Sequence, residues 1–344
     1  MARLATILTS LTRALARDQK SIFSLAGNNF FITIVLMIFG LKMYEAGGFF
    51  SLILGLVILF PLSTDPLRKI PASRLSLWPL SSRERWILRI ASPWVNPMTW
   101  ALAILAVWSA RGKVTLGLWA LSAVQVASGF VITSLPVSTD RRFWRRVPTF
   151  PGPLNQLIRK DLRQMLSTLD IYCALLLSVG GLAFRLSGRP FPPEAQMAIT
   201  VLIVIALSSN AQCLFGLDGK AGLARYRLLP IQGWKILAAK DTAFLVIAVL
   251  LTLPVAPLAG LGAALAALAI GHLHSVTFPA SQIRWRFSTG GSFWPQGLMQ
   301  VGAIAIAASS ILLSSVLLLI PCIVACIGSA WWYGRYIDNG FAQA

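Results

Sequence analysis

Ten long apolar runs, separated by polar connections, are the feature that most constrains the fold of this chain. A helix needs about 20 apolar residues to cross the hydrocarbon core of a bilayer. Only 12% of the residues are charged and 56% are hydrophobic, which excludes both an ordinary soluble domain and a disordered chain. The sequence therefore predicts an all-α, polytopic membrane protein with about ten transmembrane helices. The predicted spans are 21–41, 46–62, 92–110, 114–135, 165–184, 195–215, 242–257, 259–278, 296–316 and 317–332.

The connections between the apolar runs alternate between loops rich in Lys and Arg and loops with few charges. Lys and Arg number 30 against 11 Asp and Glu, and they concentrate in the N-terminal stretch and the even-numbered loops. Because basic loops stay on the cytoplasmic side, we expect both termini to be cytoplasmic and the protein to be multi-pass in a bacterial cytoplasmic (inner) membrane. Topology and anionic membrane lipids account for the net charge of +19, so no nucleic acid partner is expected.

An internal repeat appears when the two halves of the chain are compared. ARDQKSIF resembles RKDLRQML at an offset of 143, which aligns Asp18 with Asp161. LPVSTDRRFW resembles FPASQIRWRF at the same offset. A third pair, at offsets of 151 to 153, aligns Asp65 with Asp218. Three landmarks in the same order predict two parallel copies of a four-span unit, followed by two further spans.

The repeat divides the chain into two predicted transmembrane units. Residues 1–150 hold an interfacial amphipathic helix, four spans and a cytoplasmic loop at 63–91. Residues 151–344 hold an interfacial helix, six spans and the corresponding loop at 216–241. In the N-terminal segment, Leu4, Ile7, Leu8, Leu11 and Leu15 recur at helical spacing, as expected for a helix lying at the membrane surface.

The two long cytoplasmic loops each contain a Pro followed by a basic helical segment. A helix that starts after Pro and lies parallel to the membrane would present a rigid surface to a partner. In the first loop, Ser81 and Ser82 are candidate caps for a helix over 83–90, with Glu84 in its first turn. The alternative interpretation is that these charges only set topology and bind lipid head groups.

The pattern of these loops resembles the permease subunits of ABC exporters of the ABC-2 type, over about residues 2–287. The closest match is FGLDGKAGLARYRLLPIQGWKILAAKD. The resemblance implies coupling helices that dock on a separate ABC ATPase subunit, expected in two copies. Permeases of the family commonly have six spans per half, whereas four and six are counted here, so homodimerisation stays open. The residues that it assigns to ATPase coupling are Pro79, Ser82, Arg83, Glu84, Trp86, Pro230, Gln232, Trp234 and Lys235.

The sequence contains no motif for chemistry of its own. No GxxxxGK[ST] segment is present, so ATP and Mg²⁺ are expected on the partner subunit, and this chain is expected to be no enzyme and to carry no cofactor. The four cysteines lie within apolar runs. His272 and His274 have no acidic neighbour in sequence, and we expect polar caps at a span end rather than a metal site.

Polar residues inside the predicted spans are few. Gln125, Asn210 and Gln212 are weak candidates for a substrate pathway, although such amides more often bond neighbouring helices. No acidic residue lies at the centre of a predicted span, which argues against a proton- or cation-coupled transporter.

The sequence thus favours an ATP-driven export permease of unknown substrate. A membrane scaffold or enzyme acting on lipid-linked material is the alternative, and a secondary transporter ranks third.

Overall fold

The computed structural model describes residues 2–17, 67, 77–95, 152–186, 192–218, 226, 230–278 and 294–342, and within these ranges the chain forms helices and no strand. Two compact units are present: Met1–Ala26 with Ile34–Thr139, and Gly27–Thr33 with Asp140–Ala344. The helices are α1 (Ala2–Arg17), α2 (Ser82–Ala91), α3 (Asn155–Met165), α4 (Leu169–Leu186), α5 (Pro193–Gln212), α6 (Gly233–Thr252), α7 (Pro257–Thr277), α8 (Trp294–Leu313) and α9 (Leu319–Ala342).

In the first unit, α1 packs against the segment that contains α2. Leu11 of α1 is buried together with Leu67, Leu80 and Leu88. The amphipathic N-terminal helix predicted from leucine spacing is therefore confirmed as a helix, and its apolar face is covered in part by Leu67, Leu80 and Leu88. The four spans predicted at 21–41, 46–62, 92–110 and 114–135 lie almost wholly outside the described residues.

The second unit opens with a bend of 80° between α3 and α4. Two hydroxyl side chains explain why α3 ends there: Ser167 donates to the carbonyl of Gln164 (2.6 Å) and Thr168 to that of Met165 (2.7 Å). Such bonds satisfy carbonyl groups that the next helical turn would otherwise use. The amphipathic helix predicted before the fifth span is thus a separate element, and α4 begins at Leu169, four residues later than expected.

Four helices among the described residues are long and apolar enough to cross a membrane. These helices support the prediction of a helical membrane protein, and the bent pair α3–α4 is a further candidate. The four spans are Pro193–Gln212, Pro257–Thr277, Pro295–Leu313 and Val316–Asn339.

The span predicted at 242–257 is wrong in its boundaries. Helix α6 runs from Gly233 to Thr252, and α7 begins at Pro257 after a four-residue turn. Lys240 and Asp241 made the sequence resemble a loop, but both side chains are buried within the fold. The helical segment expected after Pro230 is therefore continuous with the rest of α6, which begins at Gly233.

Helix α7 is the centre of the second unit and packs against α5, α6, α8 and α9. Its small residues allow close approach: a Cβ at Gly271 would lie 2.7 Å from the carbonyl oxygen of Ala211 in α5. Small residues at such contacts are typical of membrane helices.

The candidate spans differ sharply in how much of each helix is buried within the protein. In α5 and α7, 67% of the most apolar stretch is buried, compared with 6% for Val316–Asn339. Large apolar side chains are therefore exposed along α9, among them Ile320, Val324, Ile327 and Trp332. An apolar surface of this extent is rare on a soluble monomer and is expected on a helix that faces lipid.

Candidate functional site

A buried cluster of charges lies where α3 and α6 meet the turn after α5. The Nζ atom of Lys240 lies 3.1 Å from Asp161 Oδ1 and 2.7 Å from Asp218 Oδ2. It also donates to the carbonyl of Leu214 at 2.8 Å, and the ring of Phe215 lies 4.8 Å away. Only 2% of the Lys240 side chain is exposed, so these contacts replace its hydration shell.

A second lysine completes this cluster at its outer edge. Lys160 forms an ion pair with Asp218 and donates to the hydroxyl of Tyr226 at 2.6 Å. Gln164 donates to the same carboxylate at 3.1 Å. Burial alone would raise the pKa of Asp218, but the charge of Lys240 and the hydrogen bonds from both lysines outweigh it and hold the pKa below its usual value.

The four ionised groups of the cluster sum to zero charge. Two lysines face two aspartates, and the bonds just described satisfy the groups that burial has desolvated. A complete cluster of this kind ties its elements together, whereas loss of one member leaves a buried charge and is strongly destabilising. The cluster therefore fixes how α3 and the turn 213–218 sit against α6.

A small cavity of about 20 Å³, room for about one water molecule, lies beside the cluster. Asn210, one of the residues predicted for a substrate pathway, lines it with Asp161, Gln164, Cys213 and Lys240. Gln212 instead donates to Gln300 Oε1 of α8 at 2.6 Å, and Gln300 donates to the carbonyl of Ala267 at 2.7 Å. The side chain of Gln212 thus forms a hydrogen bond to a neighbouring helix. Gln125 lies outside the described residues.

His272 belongs to a second buried polar contact. Its Nε2 lies 2.9 Å from Asp241 Oδ1, and its Nδ1 lies 3.0 Å from Ser329 Oγ. The polar cap predicted for His272 is wrong, because the ring is fully buried between α6 and α9. Asp241 is the ninth residue of α6, a helix that is not among the four candidate membrane spans of the described residues. His274 is buried as well, and the centre of its ring lies 5.9 Å from that of Phe278.

The residues predicted for coupling in the second loop lie at the start of α6. Pro230 is exposed, Gln232 is the N-cap residue, and Trp234 is the second residue of the helix. The indole of Trp234 is 42% exposed and donates to Gln232 Oε1 at 2.9 Å. Lys235 lies with its Nζ 5.5 Å from the centre of that ring. These four residues therefore form one patch, called here the Trp234 patch.

The residues predicted in the first loop are arranged around the start of α2. Ser81 caps the helix: its amide donates to Glu84 Oε2 at 2.9 Å, and its hydroxyl accepts from the Glu84 amide at 3.3 Å. This capping box confirms the predicted helix and its Ser81 cap. Because Glu84 serves the cap, its carboxylate is engaged within the chain.

Trp86 is the most exposed large apolar side chain of α2, with 63% of its surface accessible. Leu88, two positions later, points into the cluster with Leu11. Pro79, Ser82 and Arg83 are exposed as well. The first loop therefore presents an indole and a guanidinium from a helix whose opposite face is anchored.

Among the described residues, no group of three or more His, Cys, Asp or Glu side chains is placed to hold a metal ion. Cys173, Cys213 and Cys326 are buried, and Cys322 is half-buried.

Sequence reasoning missed the partnership of Lys240, Asp161 and Asp218. Asp161 and Asp218 had been singled out as landmarks of the repeat, but nothing in their spacing indicated that Lys240 binds both. The one available signal was the placement of three charges at the edges of apolar runs, where an unpaired charge would be costly.

No protein-family model, curated protein or solved structure matches the chain.

Proposed function

We propose that this protein is the multi-pass permease subunit of an ATP-driven export system in a bacterial cytoplasmic membrane. A separate ABC ATPase binds its cytoplasmic surface and supplies ATP hydrolysis. The observation that carries the proposal is the presence of two basic segments that each present an exposed tryptophan near the start of a fixed helix, Trp86 in α2 and Trp234 in α6.

An exposed indole on a rigid helix end suits protein docking. Aromatic and Arg residues dominate the binding energy of many interfaces, since a few of them fill pockets on the partner. Arg83 lies three residues before Trp86 and so shares its side of α2. Lys235 lies against Trp234. Each segment thus combines an apolar anchor with a cation that can pair with an acidic group of the ATPase.

The mechanism follows from how the Trp234 patch is connected. Helix α6 continues without a break from Gly233 to Thr252, so a push on its start is transmitted along one rigid element. The cluster around Lys240 joins this helix to α3 and to the end of α5. Closure of two ATPase subunits on nucleotide would move both α6 and the elements tied to it.

Lipid binding is the main competing role for the same patches. A basic residue near an anionic membrane surface contributes about 1 kcal/mol. If the patches bind lipid, removal of Trp86 or Trp234 would change membrane affinity only slightly. No bound protein would be lost from either variant, because the wild type would have none. A scaffold for enzymes of lipid-linked material would copurify with those enzymes instead of an ATPase.

The test is affinity purification of the full chain in mild detergent, followed by identification of the proteins that copurify. A subunit containing a P-loop, bound by the wild type and lost from Trp86→Ala and Trp234→Ala, supports the proposal. Equal recovery of that subunit with both variants would contradict it. Glu194→Gln, a change at an exposed acid at the start of α5, is the matched control.

The buried pair of Asp241 and His272 favours a second candidate, a proton-coupled transporter. Ionisable residues inside membrane helices often form proton pathways, and this pair joins α6 to α7. Under that mechanism, export would persist without any ATPase, would collapse with the proton gradient and would be lost in His272→Asn. The first candidate predicts insensitivity to a protonophore while ATP is maintained.

A further inference from the structure

The start of α6 is held by the end of α9, 105 positions away in sequence. The amide of Gly233 donates to Asp338 Oδ1 at 2.7 Å. Gln232, the N-cap residue of α6, makes no capping bond with its own side chain. Asp338 therefore takes the place of a local cap: its carboxylate accepts from a free amide of the first turn and lies at the positive end of the helix dipole.

The two backbones also touch directly at this point. A Cβ at Gly233 would lie 2.4 Å from the carbonyl oxygen of Gly334, and a Cβ at Gly334 would lie 2.5 Å from the backbone of Trp234. Each position thus requires glycine. Ile337 of α9 is buried nearby, in contact with a cluster that includes Ile236. The crossing leaves the backbone of Trp234 no freedom to shift toward α9.

We propose that Asp338 is a positioning residue for ATPase docking: it fixes the first turn of α6 so that the Trp234 indole faces the partner. The C-terminal helix is then a required part of the coupling surface, together with the loop before α6. This inference rests on the proposed function. The partner that it fits is the ATPase, with an apolar pocket for the indole and a carboxylate for Lys235.

The chemistry of the cap distinguishes this role from a general need for the negative charge. Asn accepts a hydrogen bond from a helix amide about as well as Asp does, whereas Ala cannot accept one. Asp338→Asn should therefore keep the indole in place, and Asp338→Ala should release it. Asn339→Ala, which removes an exposed neighbour on α9, is the matched control.

The experiment measures the binding of the ATPase that copurifies with the wild type to each full-length variant in lipid nanodiscs. Asp338→Ala is expected to weaken binding by about fivefold, because loss of a cap destabilises the start of a helix by about that factor and the indole is then held in place only part of the time. Asp338→Asn and Asn339→Ala are expected to bind like the wild type. Trp234→Ala combined with Asp338→Ala should bind no more weakly than Trp234→Ala alone, because the cap acts through the indole.

Hydrogen exchange of the peptide that covers residues 231–237 is measured in the same samples, without the ATPase. The inference is supported if Asp338→Ala, and neither of the other two variants, shows both faster exchange of this peptide and weaker binding. Unchanged binding in Asp338→Ala, with Trp234→Ala still defective, overturns the inference and leaves the proposed function standing. Absence of any ATPase from the wild type overturns both.

Discussion

Lys240 and Asp161, 79 positions apart in sequence, form an ion pair that is almost completely buried, with 3.1 Å between Nζ and Oδ1. Asp218 holds the same lysine from the turn after α5. These contacts determine how three separate segments of the second unit meet.

Removal of Lys240 should therefore be costly. Lys240→Met leaves the Asp161 carboxylate buried without its cation, and loss of one partner of a buried pair costs about 3–5 kcal/mol. We expect a clearly lower midpoint of thermal unfolding in detergent. The double variant Asp161→Asn with Lys240→Met should recover part of the loss, since the uncompensated charge is then absent.

Lys235→Met is the control for this experiment, because it removes a lysine of the same helix that is only half-buried. A midpoint for Lys240→Met equal to that of the control would mean that the ion pair contributes nothing to stability.

The lowered pKa of Asp218 predicts a dependence of stability on acid. Because its pKa is lower in the folded state than in the unfolded state, the carboxylate stabilises the fold above the unfolded pKa, and this contribution disappears as the pH falls through the folded pKa. The wild type should lose stability below about pH 4, the ordinary range for an Asp. Asp218→Asn should be less stable at pH 7 and should lose less on acidification. Parallel curves for the two proteins would refute this assignment.

The capping box gives a paired comparison of adjacent serines. Ser81→Ala removes the hydroxyl that accepts from the Glu84 amide, and loss of such a cap costs about 1 kcal/mol. Amide exchange at the start of α2 should accelerate by about fivefold. Ser82→Ala removes an exposed hydroxyl next to the cap and should leave exchange unchanged. Equal acceleration in both variants would show that the cap does not hold the helix start.

The topology can be tested with single cysteines and an impermeant thiol reagent in intact cells. Cysteines at Glu45, Lys113, Phe191 and Glu194 should react from outside, because the connections in which they lie carry few basic residues. Cysteines at Ser73, Thr149, Gly222 and Asn339 should react only after the cells are opened. Wild-type labelling gives the background from the four native cysteines. Reaction of the second set in intact cells would contradict the predicted topology, in which these positions lie on the cytoplasmic side.

How far the sequence predicts this molecule depends on whether a feature is local. The helix capped by Ser81 and the amphipathic helix at the N-terminus follow from neighbouring residues, and both are present. The boundary of α6 was misjudged because charge marks a loop only while it stays solvated. Asp161 and Asp218 neutralise Lys240 from distant positions, so the helix continues through it.

The same reason hid the contacts of His272 and Asp338. Asp241 precedes His272 by 31 positions, and Asp338 follows Gly233 by 105. Periodicity and spacing describe a residue's own element, but these bonds depend on which helices pack together. Trp86 and Trp234, which the resemblance assigns to ATPase coupling, are both exposed.

The repeat predicts a counterpart of the buried cluster in the first half. By sequence, Asp18 corresponds to Asp161 and Asp65 to Asp218, and the offset of 151 that aligns Pro79 with Pro230 also aligns Arg89 with Lys240. The side chains of these first-half residues lie outside those that the structure describes. We expect Asp65→Asn to lower the unfolding midpoint about as much as Asp218→Asn does. An effect no larger than that of Asp140→Asn, a loop change without a counterpart in the cluster, would argue for chance similarity.

Under the proposed function, a separate ATPase drives this protein through Trp86 and Trp234. The most direct measurement is ATP hydrolysis by the complex purified with the full chain and reconstituted in nanodiscs. We expect hydrolysis with the wild type, and a loss of about tenfold or more in the paired variant Trp86→Ala with Trp234→Ala, since central aromatic anchors often contribute 2 kcal/mol or more each. A wild-type preparation without nucleotide hydrolysis, or equal hydrolysis by the paired variant, would contradict it.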